Sequence, residues 1–344
     1  MARRDIVVVG ASAGGIAALQ QFALQLPATF DGSIFVTVHF PEHGTSTLPR
    51  ILNRSGSLSA VHAADGESIV PGRIYVAPPD FHLLLSRRGV RLARGPKEKG
   101  NRPAVDSMFR SAAVSFGPRV IGVVLTGNLD DGTAGLLAIK RRGGLGIAQD
   151  PSEALFPSMP RSAIEHAAVD RVVPIRDLHK TLAELMAEPI LEAPAADSLD
   201  RTEADFAAAN LDVMQDEHGH PGHPSVFGCP DCGGVLWEVD DGEFTRYRCR
   251  VGHAWRSDAL LGHQSDTYDD ALWTSLRALE ESTSLSRRIA ARYRKRGSDE
   301  LADRFEAQAR AIEAKAEPVR ALLMTHRHAQ INPDLGAGGP RRVS

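Results

Sequence analysis

Ile6-Val7-Val8-Val9 is a run of apolar β-branched residues followed by a small-residue turn, Gly10 to Gly15, and then by Ile16, Leu19, Phe22 and Ala23 at helical spacing. A strand that is apolar on both faces needs cover on both sides, which a parallel sheet flanked by helices supplies. The pattern returns along the first half of the chain. Ile34 to Val38, Arg73 to Ala77, Val120 to Leu125, Leu145 to Gln149 and Val172 to Pro174 read as strands, and Val105 to Phe116 and Thr133 to Arg142 as helices. Leu83 to Leu85 and Val90 to Ala93 read as an antiparallel hairpin. The fold class expected is α/β, a doubly wound, mainly parallel sheet with helices on both faces and an antiparallel part. Sites in such sheets gather at the carboxyl ends of the strands.

The pattern stops near Ala187, where Ala, Asp, Glu, Pro and Gly take over. Five segments are expected: an α/β domain over 1–185, a linker over 186–223, a small metal-ribbon-like module over 224–256, a helical hairpin over 257–328 and a disordered tail over 329–344. The hairpin rests on two apolar stripes. Leu272, Leu276, Leu279, Leu285, Ile289 and Tyr293 precede Gly297, and Leu301, Phe305, Ala309, Ile312, Ala316, Val319 and Leu323 follow it. Mutual packing and partner binding both explain such stripes.

Forty basic residues stand against 43 acidic ones, a net charge of -3. That balance argues against a nucleic-acid binder, and no apolar run is long enough for membrane insertion. Met1-Ala2-Arg3-Arg4 before an apolar run imitates a signal peptide, but Asp5 interrupts the transition. A cytoplasmic protein is expected.

Chemistry is concentrated at three strand ends. Gly10-Ala11-Ser12-Ala13-Gly14-Gly15 joins a strand to a helix, so Ser12 projects its hydroxyl above the sheet and the N–H groups of the helix start face a developing oxyanion. A dinucleotide-binding turn would want glycine at Ser12 and an acid at the end of the second strand, where His39 stands. His39 lies at the same sheet edge as Ser12, and imidazole is the usual base for a hydroxyl near neutral pH; His43 is a rival. Thr126-Gly127-Asn128-Leu129-Asp130-Asp131-Gly132 puts an acid at a third strand end, either to orient the histidine or to cap the helix from Thr133.

Six stretches resemble the CheB-type protein-glutamate methylesterases in family order: DIVVVGASAGG, TVHFPEH, PGRIYVAPPDFHLLL, RPAVDSMFRSA, VIGVVLTGNLDDGTAGLLAIKRRGG and AQDPSEALFPSMPRSAI, together covering about residues 5–180. The resemblance implies Ser12 as nucleophile, His39 as base and Asp131 as orienting carboxylate. It gives Asp130 no role, so Asp130→Asn is expected to be mild. The implied reaction is hydrolysis of glutamyl methyl esters on methyl-accepting chemotaxis-type receptors, releasing methanol, with glutamine deamidation as a second reaction and no catalytic cofactor. Ala13 replaces the family's usual Thr and Asn128-Leu129 its Met-Gly pair; the backbone N–H groups of Ala13 and Asn128 lie where an oxyanion is expected. Many family members carry a receiver domain before the esterase. Here the match starts within the first residues, so control by phosphorylation within this chain is not expected. The alternative is a non-enzymatic scaffold that docks a receptor or a methyltransferase partner.

Cys229 and Cys232, with two residues between them, and the Cys249-x3-His253 pair bracket a segment with two predicted strands, Val235 to Val239 and Phe244 to Arg248. Three thiolates and one imidazole suit a closed, structural tetrahedral zinc site. The alternatives are three reduced cysteines in a small core, or His218, His220 or His223 in place of His253. Loss of such a metal is expected to leave the chemistry near Ser12 largely intact.

Overall fold

A computed structural model describes residues 3–40, 44, 46–190, 201, 204–205, 207–208, 222–240 and 245–331. His43, His218, His220, Phe244 and the tail from residue 332 lie outside the described residues. The chain forms two units, residues 1–260 and 261–344, each described by itself.

The first unit is built on a seven-stranded parallel sheet: β1 (Ile6–Ala11), β2 (Ser33–Val38), β3 (Ser59–His62), β4 (Arg73–Val76), β7 (Val120–Val124), β8 (Leu145–Gln149) and β9 (Arg171–Val173), in the order β3-β4-β2-β1-β7-β8-β9. The antiparallel hairpin is β5 (His82–Ser86) with β6 (Gly89–Ala93). Alternation within β1 splits its side chains between two cores. Val7, Val9 and Ala11 join the residues of α1 (Gly15–Gln25), α2 (Leu48–Ser55) and α6 (Leu178–Ala187). Ile6 and Val8 join those of α3 (Val105–Phe116), α4 (Thr133–Arg141) and α5 (Ser158–His166). Both faces of the strand are therefore dry, as its composition requires.

Arg4, mistaken easily for a signal-peptide charge, is buried and donates to the carbonyls of Leu185, Glu188 and Pro189 at the end of α6. Leu185 O also accepts from the Glu188 N–H that caps the helix, and a cation at this end meets the negative end of the helix dipole. Sequence patterning did not resolve α2, β3, α5 or α6, which are short and carry mixed polar residues.

His82 is fully buried, with Nε2 donating to Pro96 O at 2.9 Å and Nδ1 accepting from Ala104 N at 3.3 Å. Burial holds its pKa below the ordinary 6.5. The unfolded chain therefore binds this proton more readily than the folded one between the two pKa values. Stability should be full above pH 6.5 and fall with acidification below it, by up to about 1.4 kcal/mol per pH unit from this residue. Denaturant melts of wild type and His82→Gln from pH 5 to 7.5 check this, the variant losing that part of the slope.

Beyond α6 the predicted linker is partly packed. Ala207 is buried against Leu84 and Ala93, and Arg91 donates to Ala208 O at 3.3 Å. The ribbon module forms an antiparallel sheet, β10 (His223–Gly228), β11 (Val235–Asp240), β12 (Thr245–Cys249) and β13 (Ala254–Arg256), over a small core of Leu236, Tyr247, Trp255 and Leu260. It belongs to the same compact unit as the α/β domain, where the sequence had suggested a separate module. Helix α7 (Ser257–Lys295) leads into the second unit, where it pairs with α8 (Asp299–Ile331). Leu276, Ala316 and Leu323 are buried there and Tyr293 stacks on Phe305 at 5.7 Å, so mutual packing accounts for most of the stripe. Leu285 and Leu301 were assigned to that stripe but are exposed.

Candidate active site

Strand order reverses between β1 and β7, the switch point at which a doubly wound sheet leaves a crevice. Ser12 follows β1, His39 follows β2, and the loop with Asp131 follows β7. Parallel register alone brings the three to one edge.

The serine turn is pinned to the acidic loop, Ser12 N donating to Thr126 O at 3.0 Å. At Gly127 a Cβ would fall 2.0 Å from Met159 Sδ and 2.8 Å from Ser12 Cβ, so glycine alone lets the loop pass this close to the serine. Gly10 plays the same part beneath the site, where a Cβ would meet Val105 Cγ1 at 2.2 Å. That approach matters because Val105 opens α3 and its N–H holds Asp131.

His39 bridges the other two groups. Its Nδ1 lies 3.0 Å from Ser12 Oγ and its Nε2 lies 2.7 Å from Asp131 Oδ2. The Nε2–H donates to the carboxylate, which leaves the Nδ1 lone pair for the serine hydroxyl. The two ring nitrogens thus exchange the roles they have in the familiar serine-protease triad.

Asp131 accepts from Val105 N at 2.8 Å, Asp106 N at 3.1 Å and Gly132 N at 3.0 Å as well as from His39. Burial alone would raise its pKa, but the His39 hydrogen bond, Lys99 and the backbone donors outweigh it and hold the group well below the carboxylate range. The acid is fixed in its ionised form. Lys99, itself buried, lies 2.9 Å from Asp106 and 3.2 Å from Asp130, and 3.9 Å from Asp131. Burial works to discharge it, yet the surrounding carboxylates keep its pKa above the ordinary lysine value.

Among the described residues none accepts a hydrogen bond from the backbone N–H of Ala13 or Asn128, and Asn128 is exposed. Both donors remain available at the mouth of the site. Leu129 takes a left-handed φ of 62°, which costs a leucine about 1–2 kcal/mol. The resemblance places a glycine there in the family.

Asp130 departs from expectation. It is buried and pairs with Lys99 and, at 2.7 Å, with Arg256 of β13. Its replacement should not be mild, since a buried cation would lose its partner. Lys99, Asp106 and Arg256 were not singled out from the sequence. Lys99 sits in a charged run that reads as solvated, Arg256 stands between Trp255 and Ser257 with no pattern to mark it, and Asp106 reads as an ordinary first-turn helix acid.

Cys229, Cys232, Cys249 and His253 place their ligand atoms within 4.8 Å of one another. Cys249 Sγ lies 3.5 Å and Cys229 Sγ 3.7 Å from His253 Nδ1, and Cys232 Sγ lies 3.6 Å from Cys249 Sγ. His223 is exposed on β10 and outside this group.

A family model described as CheB methylesterase matches residues 7–182. The protein-glutamate methylesterase/protein-glutamine glutaminase 1 of Geobacter metallireducens is 41% identical over 181 residues, 52% of this chain and 50% of that protein. The protein of that name from Thiobacillus denitrificans is 38% identical over 186 residues, 53% of this chain and 52% of its own. The chain therefore spans about half the length of these curated relatives. The crystal structure of the Thermotoga maritima CheB methylesterase catalytic domain superposes with a TM-score of 0.52 at 36% identity, covering 54% of this chain and all of that one.

Proposed function

The chain belongs to the CheB methylesterase family, and on that premise we propose that it is a serine esterase that hydrolyses glutamyl methyl esters on chemotaxis-type receptors. One observation carries the reading: Ser12, His39 and Asp131 form a continuous hydrogen-bonded chain with links of 3.0 and 2.7 Å. Ser12 Oγ attacks the γ-carbonyl carbon of the ester while His39 Nδ1 takes its proton. The oxyanion is met by the N–H groups of Ala13 and Asn128. Collapse of the tetrahedral intermediate expels the methoxy group, which leaves as methanol with the proton from His39. Water, deprotonated by the same imidazole, then attacks the acyl-serine and releases glutamate and free Ser12.

The same steps release ammonia from a glutamine amide, and the curated relatives carry both activities in their names. A cytosolic setting keeps thiols reduced, which suits the unpaired Cys229, Cys232 and Cys249. Among the described residues no helix is long and apolar enough to cross a membrane.

The test is turnover. Purified chain added to methylated receptor in membranes should release many equivalents of methanol per chain. Receptor binding without methanol would favour a scaffold.

A further inference from the structure

The face of the ribbon that meets the α/β domain is its last strand, and that strand follows His253 directly. Residues 97–99 run alongside it in parallel: Lys99 N donates to Ala254 O at 2.7 Å, and Ala254 N to Lys97 O at 3.3 Å. Side chains repeat the link. Arg256 reaches Asp130 at 2.7 Å and Ser162 Oγ at 3.3 Å, and buried Glu98 pairs with Arg110 of α3 and lies 3.9 Å from Arg248 of β12. Lys99 lies 3.9 Å from Asp131 and pairs with Asp130, the residue before it. The ribbon therefore holds both the backbone of Lys99 and the carboxylate of Asp130.

The four ligand atoms fit one ion. Bonds of about 2.3 Å to sulfur and about 2.0 Å to nitrogen give tetrahedral edges of about 3.8 Å between sulfurs and about 3.5 Å between sulfur and nitrogen. Three of the six separations, 3.5, 3.6 and 3.7 Å, are close to those edges, and all six lie within 4.8 Å. Three soft thiolates with one imidazole select zinc among common divalent ions. Four protein ligands fill the coordination shell, so the ion is not positioned to bind substrate. Its influence must pass through the strand.

We infer that Cys229, Cys232, Cys249 and His253 hold a zinc ion whose presence keeps β13 seated on the Asp130–Asp131 loop, with Arg256 as a positioning residue for the triad. Without the ion, the Cys249–His253 turn loses its clamp, and Ala254 and Arg256 with it. Asp130 is then a buried carboxylate that has lost Arg256, and the loop that aims Asp131 at His39 loosens. This replaces the expectation that metal loss would spare the chemistry near Ser12.

The inference rests on the esterase reading only for its activity arm. Full-length protein purified without chelator should contain about one zinc per chain. Removing it should raise hydrogen exchange in residues 126–132 as well as in 225–256, and lower methanol release on the order of 10²-fold through kcat, as a displaced catalytic group does. Arg256→Gln should keep its zinc, lose a similar factor in kcat with KM little changed, and regain part of it as Arg256→Lys or with Asp130→Asn. No zinc in the purified chain overturns the inference. So does unchanged exchange at 126–132 after zinc removal, or an Arg256→Gln protein with wild-type kcat. Should Arg256→Gln fail to fold, the zinc-removal arm decides. Should wild-type chain release no methanol while exchange still follows the metal, the esterase reading falls and the coupling stands.

Discussion

Ser12→Ala should lower ester turnover by about 10⁴-fold or more while leaving the fold intact, since removing a triad nucleophile typically costs that much. The turn tolerates the change because it is held by backbone, Ser12 N on Thr126 O and Gly15 N on Ser12 O, and among the described residues the hydroxyl bonds only to His39. Circular dichroism and melting point should match wild type. Substantial methanol release by folded Ser12→Ala protein would remove the serine from the mechanism.

Asp131→Asn should cost about 10⁴-fold in kcat for a different reason. A carboxylate can only accept from His39 Nε2, so it fixes the tautomer with its lone pair on Nδ1, toward Ser12. An asparagine can present its NH₂ instead, which stabilises the tautomer whose proton points at the serine. Asp130→Asn keeps this tautomer logic and should cost less, though more than a surface change because of its ion pairs with Lys99 and Arg256. Kinetics of the two variants side by side give the ranking. Equal losses, or the reverse order, would contradict Asp131 as the orienting acid.

The parts of this molecule that could be read from sequence are those governed by local pattern. Helix Val105–Phe116 and strand Leu145–Gln149 fall where their apolar runs put them, because a doubly covered strand leaves an unbroken apolar signature. Ser12, His39 and the Asp130-Asp131 pair were each marked by one rule, a polar residue at a carboxyl strand end, and the family resemblance chose Asp131 within that pair. What escaped was long-range electrostatics. Lys99 stands in a Lys-Glu-Lys run that resembles any solvated turn, and its burial depends on β13, more than 150 positions along the chain. Arg256 escaped for the same reason. Charges that pair across such distances carry no periodicity, so their partners become visible only when the backbone is folded. The use of Nδ1 toward the serine was likewise beyond the sequence, since it depends on ring orientation alone.

The central claim is that Ser12 is a nucleophile activated by His39. Its most direct test is covalent capture with a fluorophosphonate, which is attacked by an activated serine and loses fluoride, followed by peptide mass spectrometry. One phosphonyl group per chain, on the peptide containing Ser12 and absent from His39→Ala, is the predicted result. A chain that hydrolyses methyl esters yet labels at another residue, or labels at Ser12 equally well without His39, would contradict it.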